Sequence, residues 1–296
     1  MKTRAAPLLL LPTLAVLAVV LLWGMSFVSS KAILNTGFPP LTMAFARFGV
    51  ASLVLAVLRR RLEPGSRFER RERLLLAASG FFGVTVYFFF ETRGIKLTSA
   101  SNAALIIATI PVFTMASERL FFRTPIRWYQ GAGIALSIVG VSLLVGRAGS
   151  AAPEAIRGNL FMLGACLSWV AYVGLSRRLQ TGTPRSLSLT AWQSLIGAAF
   201  MLPFALTERG EWFLPGPVVW LNILYLGLFC SALGYFLYQF ALARIGPIAV
   251  SAYVNLIPVV GSAGGLLVLG EALAPAQMAG GVVVIAGVFL VNLRTG

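Results

Sequence analysis

The sequence predicts an all-α polytopic membrane protein: ten transmembrane helices built as two inverted five-helix repeats around a central cavity. Three observations carry that prediction. Of the 296 residues, 58% are hydrophobic and only 11% are charged, under half the share of about 25% typical of soluble domains. The apolar residues are gathered into long runs without charge. The two halves of the chain also register on one another at a nearly constant offset.

The runs without charge are Ala5–Ser30, Leu74–Phe90, Leu97–Ser117, Trp128–Gly146, Gly158–Ser176, Ser186–Thr207, Trp212–Ala243, Ile245–Gly270 and Ala272–Leu293. A further run, Pro39–Leu58, is broken only by Arg47. Each is close to the roughly 20 residues a helix needs to cross a bilayer. The runs are continuously apolar rather than alternating, so they read as helices and not as strands of an outer-membrane barrel. What remains is short connections, which leaves no room for a soluble domain. The first run follows Lys2 and Arg4 as a signal peptide would, but its apolar part is too long and no A-x-A site follows, so it reads as a span.

Basic residues set the orientation. With the amino end inside, seventeen of the 24 lysines and arginines fall on the cytoplasmic side, seven of them between Arg59 and Arg73, and six fall opposite. This positive-inside bias predicts both termini in the cytoplasm of a bacterial inner membrane. The net charge of +15 is therefore a membrane-lipid signal at span ends, not a nucleic-acid footprint. Trp128, Trp212 and Trp220 lie near span ends, as interfacial anchors do.

The alphabet itself excludes chemistry. There is no histidine, and all nine acids are glutamate. A Ser-His-Asp triad, an aspartate pair, a histidine-based zinc site and an EF-hand cannot be built from it. No G-x-x-x-x-G-K-[ST] loop is present, so no ATPase is built in. Cys166 and Cys230 lie inside spans without metal or redox spacing and read as small apolar filler. No cofactor and no metal is expected, and oligomeric state is not legible.

Internal duplication supplies the architecture. At a shift of 147, Gly80 meets Gly227, Gln130 meets Gln277, Gly133 meets Gly280 and Gly140 meets Gly287. Ile110-Pro111-Val112 meets Ile257-Pro258-Val259 letter for letter. Near the amino end the shift is 146, and Trp23 meets Trp169, Ser30 meets Ser176 and Lys31 meets Arg177. A five-span repeat is odd, so the second copy starts on the other side of the membrane and the copies are inverted. Inverted repeats are the architecture of alternating-access carriers, with the site between them near the midplane.

The Trp23-Gly24 start of span one with Lys31 eight residues on resembles the EamA-type drug/metabolite transporters. So do Pro258, Gly270-Glu271, Gln277, Gly280-Gly281 and Gly287 in the last two spans. The resemblance covers essentially the whole chain as two EamA repeats, 13–145 and 158–293. It implies ten helices and export of amino acids, other metabolites or drugs without ATP. The aromatic-rich interior is most similar to YddG-type amino-acid exporters. One departure is that Thr124 stands where Glu271 stands in the second repeat. That argues against a paired-acid role for Glu271 and favours a capping or loop role.

Polar residues within spans are the candidates for a substrate site, because lipid-facing positions reject them. Arg47 lies roughly seven residues from the outer end of its span. It reads either as a forked contact to a substrate carboxylate or as a tie between helix ends or to Glu91. Pro111 and Pro258 interrupt spans four and nine at matching points, as fixed kinks or as hinges. Asn255 and Ser251 lie one and two turns before Pro258 on one face, and Ser101 lies further out on the matching face of span four. Tyr87, Trp169, Tyr172, Tyr235 and Tyr238, with Trp23, form an aromatic set that either packs helices or lines a cavity for amino acids. The glycine-faced spans five and ten read as scaffold.

The expectation is a non-ATP secondary transporter for a small-molecule substrate. The remaining glutamates sit near predicted span ends and make poor proton relays, which favours facilitated, downhill export or weak coupling. Alternatives are a lipid or nucleotide-sugar carrier of the same fold, or a glutamate- or cysteine-based membrane enzyme.

Overall fold

A computed structural model of the chain describes residues 5–66, 68–97, 106–145, 153–180, 185–260, 263 and 275–293, and no strand occurs among them. The helices run in chain order as α1 (Ala5–Leu34), α2 (Pro40–Leu62), α3 (Arg70–Leu97), α4 (Ile110–Phe122), α5 (Trp128–Val145), α6 (Pro153–Leu179), α7 (Ser186–Thr207), α8 (Pro217–Ile245), α9 (Pro247–Val260) and α10 (Pro275–Val291). Helices α2, α3, α6, α7 and α8 each carry a stretch long and apolar enough to cross a membrane, and α1, α5, α9 and α10 carry shorter apolar stretches. Their outward faces are leucine, valine and phenylalanine, with Leu53 at 73% and Phe289 at 69% exposure. Surface of that kind is stable only against lipid. The chain is an integral membrane protein.

Helix packing is unchanged when the two halves are exchanged. Helix α1 packs on α8 as α6 packs on α3, α2 packs on α7, and α5 packs on α10. The end contacts of α2 and α7 show why. Glu208, just past the end of α7, accepts from the backbone N–H groups of Leu41 at 3.1 Å and Thr42 at 2.8 Å in the first turn of α2. Glu63, just past the end of α2, accepts from the Ser188 N–H in the first turn of α7 at 2.8 Å. Each carboxylate therefore meets the positive end of its partner's dipole and satisfies donors that a helix leaves open. Reciprocal capping of this kind requires α2 and α7 to run antiparallel.

Helices α5 and α10 lie together through their glycines. A methyl group at Gly133 would meet the Gly287 carbonyl oxygen at 2.7 Å, and one at Gly140 would meet the Val284 nitrogen at 2.6 Å. The order of those contacts makes this pair antiparallel too. Close approach of small residues is the main source of packing between helices in lipid. Gly80 and Gly227 serve the same end nearer the centre. A methyl at Gly80 would fall 2.8 Å from the Gln193 carbonyl oxygen, and one at Gly227 would fall 3.0 Å from that of Arg47.

Both halves also break their helices at matching places. Helix α3 widens to π-helical turns over Phe81–Val86, and α8 does so over Leu226–Leu233. Turns interrupt the helical path at Ala108-Thr109, before Pro111, and at Asn255-Leu256, before Pro258. Proline cannot donate to the preceding turn and crowds the carbonyl four residues back, which accounts for both interruptions.

Candidate functional site

The widened turns of α3 and α8 each receive donors from the opposite half of the chain. A π-helical turn loosens the backbone ladder and frees carbonyls for other donors. Here those donors come from the opposite half. Ser168 donates to the Phe82 carbonyl at 2.6 Å, Tyr235 to the Gly83 carbonyl at 3.2 Å and the Trp23 indole to the Cys230 carbonyl at 3.0 Å. Trp23 and Trp169, matched by the repeat, meet edge to face with centroids 5.4 Å apart. Each then meets the tyrosine on the widened helix of its neighbour, Trp23 with Tyr235 at 5.5 Å and Trp169 with Tyr87 at 5.2 Å.

Beside this aromatic group lies a cavity of about 50 Å³, bounded by Trp23, Ser26, Arg47, Tyr87, Phe88, Glu91, Ile107, Ile110, Trp169, Tyr235, Val254 and Ile257. That volume has room for one or two water molecules. Arg47 reaches it from α2, with 4% of its surface exposed. Its Nε donates to the Ser231 hydroxyl at 2.9 Å, and its guanidinium carbon sits 4.8 Å from the centre of the Phe88 ring. Ring and hydroxyl together offset part of the several kcal/mol that a buried guanidinium costs. Its Nη groups have no hydrogen-bond partner among the described residues. Glu91, one turn beyond Tyr87, accepts a long hydrogen bond of 3.4 Å from the Tyr87 hydroxyl. Among the described residues Arg47 and Glu91 form no ion pair.

The sequence-predicted site residues divide into groups. Arg47, Tyr87, Trp169 and Tyr235 line the cavity. Tyr172 and Tyr238 are fully buried behind that wall, where Tyr238 stacks on Trp23 at 5.4 Å. Asn255 is buried on α9 with both amide atoms unpartnered. Ser251, also buried, turns its hydroxyl onto the Ile248 carbonyl at 3.0 Å. Ser101 lies outside the described residues. The indole N–H of Trp169 is buried beside the Tyr238 ring, with centroids 5.2 Å apart.

Two features escaped the sequence. Glu91, expected near a span end, stands at the cavity wall because α3 extends to Leu97. Its spacing of one turn from Tyr87 was the available signal. The second is a buried polar network on the other side of the aromatic group. The Gln239 amide nitrogen lies within reach of the Tyr172 hydroxyl at 2.7 Å, the Ser176 hydroxyl at 2.9 Å and the Gln193 amide oxygen at 3.0 Å. The Gln193 amide nitrogen reaches Ser79 and Ser176, each at 2.9 Å. Further toward the helix ends, Arg177 pairs with Glu118, whose carboxylate also accepts from the Thr124 hydroxyl at 2.8 Å.

A polar cleft inside an oily helical bundle, floored by broken helices, is the construction of a membrane carrier. The comparisons agree. The EamA-like transporter family matches residues 10–146 and again 156–293. The chain belongs to the EamA-like transporter family, and is a membrane transporter. It is 31% identical over 286 residues to a probable amino-acid metabolite efflux pump of Salmonella typhimurium, covering 93% of this chain and 92% of that one. It is 29% identical over 283 residues to a probable terminal-alkyne amino-acid exporter of Streptantibioticus cattleyicolor, covering 95% and 93%. A solved crystal structure at 20% identity superposes with a TM-score of 0.78 over 95% of this chain and 98% of that one, which speaks to the fold alone.

Proposed function

We propose that this chain exports amino acids or closely related small metabolites across a bacterial inner membrane by alternating access, without ATP. The observation that carries the reading is Arg47: a buried guanidinium whose Nη groups have no partner among the described residues, at the wall of a cavity between aromatic rings. A forked donor of that kind matches a carboxylate. The antiparallel α2/α7 and α5/α10 pairs support two inverted five-helix repeats, near 13–145 and 158–293, and the bias of basic residues supports cytoplasmic termini. Such repeats exchange shapes to face one side and then the other. The matching breaks at Pro111 and Pro258 supply the hinges. The small cavity belongs to a contracted form that widens on one side during the cycle. Asn255 and Trp169 offer further polar contacts, and Tyr87, Tyr172, Tyr235 and Tyr238 shape the aromatic wall. Ser251, buried on α9, stands two turns before the Pro258 break.

Uptake into proteoliposomes over a panel of amino acids tests this. Wild type is expected to carry apolar and aromatic amino acids, and Arg47→Ala to reduce the rate about tenfold or more, the value of one charge-assisted hydrogen bond. Equal rates in the two proteins would remove Arg47 from the site.

A further inference from the structure

The two polar groups at the cavity wall have counterparts in the second half of the chain. At a shift of 146, Arg47 meets Gln193. Past the widened turns the shift becomes 148, so that Tyr87-Phe88 meets Tyr235-Phe236, Lys96 meets Arg244 and Glu91 meets Gln239. In the second half the pair is closed: Gln239 donates to Gln193 at 3.0 Å, and the serines and tyrosine around them take up the remaining donors. An amide carries both donor and acceptor, so two amides can satisfy one another. In the first half the same two positions hold a guanidinium, which only donates, and a carboxylate, which only accepts. They are not joined, and a cavity lies at both.

We propose that Arg47 and Glu91 together form a zwitterion-recognition site, in which Arg47 takes the carboxylate of the ligand and Glu91 its ammonium. The inference rests on the exporter reading and names the substrate class within it. A zwitterion presents one group of each sign a short distance apart, and so inserts into the pair as the complement of both. The Tyr87 hydroxyl holds Glu91 in place at 3.4 Å. The rings of Trp23, Tyr87 and Trp169 bound the same space, and aromatic rings attract cations. The site discriminates by repulsion as well as attraction: an anion lacking the ammonium meets Glu91, and a cation lacking the carboxylate meets Arg47.

Counterflow of labelled phenylalanine in proteoliposomes provides the test, with unlabelled phenylalanine, N-acetylphenylalanine and phenylalanine methyl ester as competitors. Wild type is expected to prefer phenylalanine to either derivative by roughly 10- to 100-fold, the range that follows from removing one charged group of the ligand. Glu91→Gln is expected to raise the KM for phenylalanine by a similar factor while leaving competition by N-acetylphenylalanine as it was. The double variant R47Q/E91Q places in the first half the amide pair that the second half already accommodates, so it controls for folding. It is expected to lose preference for the zwitterion altogether. If wild type carries neither phenylalanine nor any other amino acid of the panel, the exporter reading falls and this site with it. If amino acids are carried but N-acetylation makes no difference, or Glu91→Gln retains the preference, only the site is overturned.

Discussion

The two halves of the chain share their helix pairing, their proline breaks and their end caps, yet they treat their buried polar groups in opposite ways. In the second half, Gln193, Gln239, Ser176 and Tyr172 form one hydrogen-bonded network, which Ser79 of the first half joins. In the first half, Arg47 and Glu91 stand at the wall of a void with capacity left over. A neutral network that satisfies itself rigidifies its surroundings, while unpaired charged groups inside a membrane are costly and persist where they have a task. Duplication therefore accounts for the scaffold, and divergence at matched positions accounts for where the scaffold is receptive.

The largest way to break the comparison is to insert a side chain where the halves differ most in space. Gly83 lies within the widened turn of α3, and the matching turn of α8 carries Cys230 and Ser231. A methyl at Gly83 would fall 2.2 Å from a carbon of the Tyr172 ring. That ring is fully buried and its hydroxyl is held by Gln239 at 2.7 Å, so it has no free direction in which to yield. Gly83→Ala is expected to destabilise by about 3 kcal/mol, read as a lowered Tm in detergent. A variant as stable as wild type would mean that the two widened turns are packed alike. Gln239→Leu comes next. It leaves the Gln193 oxygen without its buried donor and is expected to cost about 2 kcal/mol. Glu91→Gln, facing the void, should leave Tm unchanged. Equal losses at the two positions would erase the contrast between a closed network and an open site.

Much of the scaffold was legible because its signals are either repetitive or local. Pro111 and Pro258 mark their own breaks, and Gly133, Gly140 and Gly287 mark the contact between α5 and α10. Arg47 and the aromatic residues stood out because charge and ring edges are conspicuous in apolar runs. The widened turns were not legible: Phe81–Val86 and Leu226–Leu233 carry ordinary apolar residues, and only their partners across the bundle reveal the freed carbonyls. Uncharged runs place span ends at charges and so put Glu91 at an end, whereas α3 continues past it for six residues to Leu97. The network around Gln239 depends on four helices meeting, and no spacing along one helix records that.

The smallest expected effect concerns the caps, where the halves look most alike. Glu208 accepts two backbone donors of α2, from Leu41 and Thr42, and the Thr42 hydroxyl at 3.0 Å as well. Glu63 accepts one backbone donor of α7, from Ser188. Glutamine in either place keeps one acceptor and removes the charge at the helix N-terminus, worth about 0.5–1 kcal/mol. Glu208→Gln must then give up a bond that Glu63→Gln need not, because a single amide oxygen replaces two carboxylate oxygens. The expected order is a larger loss for Glu208→Gln, with faster amide hydrogen exchange at Leu41 and Thr42, and a smaller one for Glu63→Gln at Ser188. Reversal of that order would show that the two caps are not held by their bond counts, and that the apparent symmetry of α2 and α7 hides a second difference between the halves.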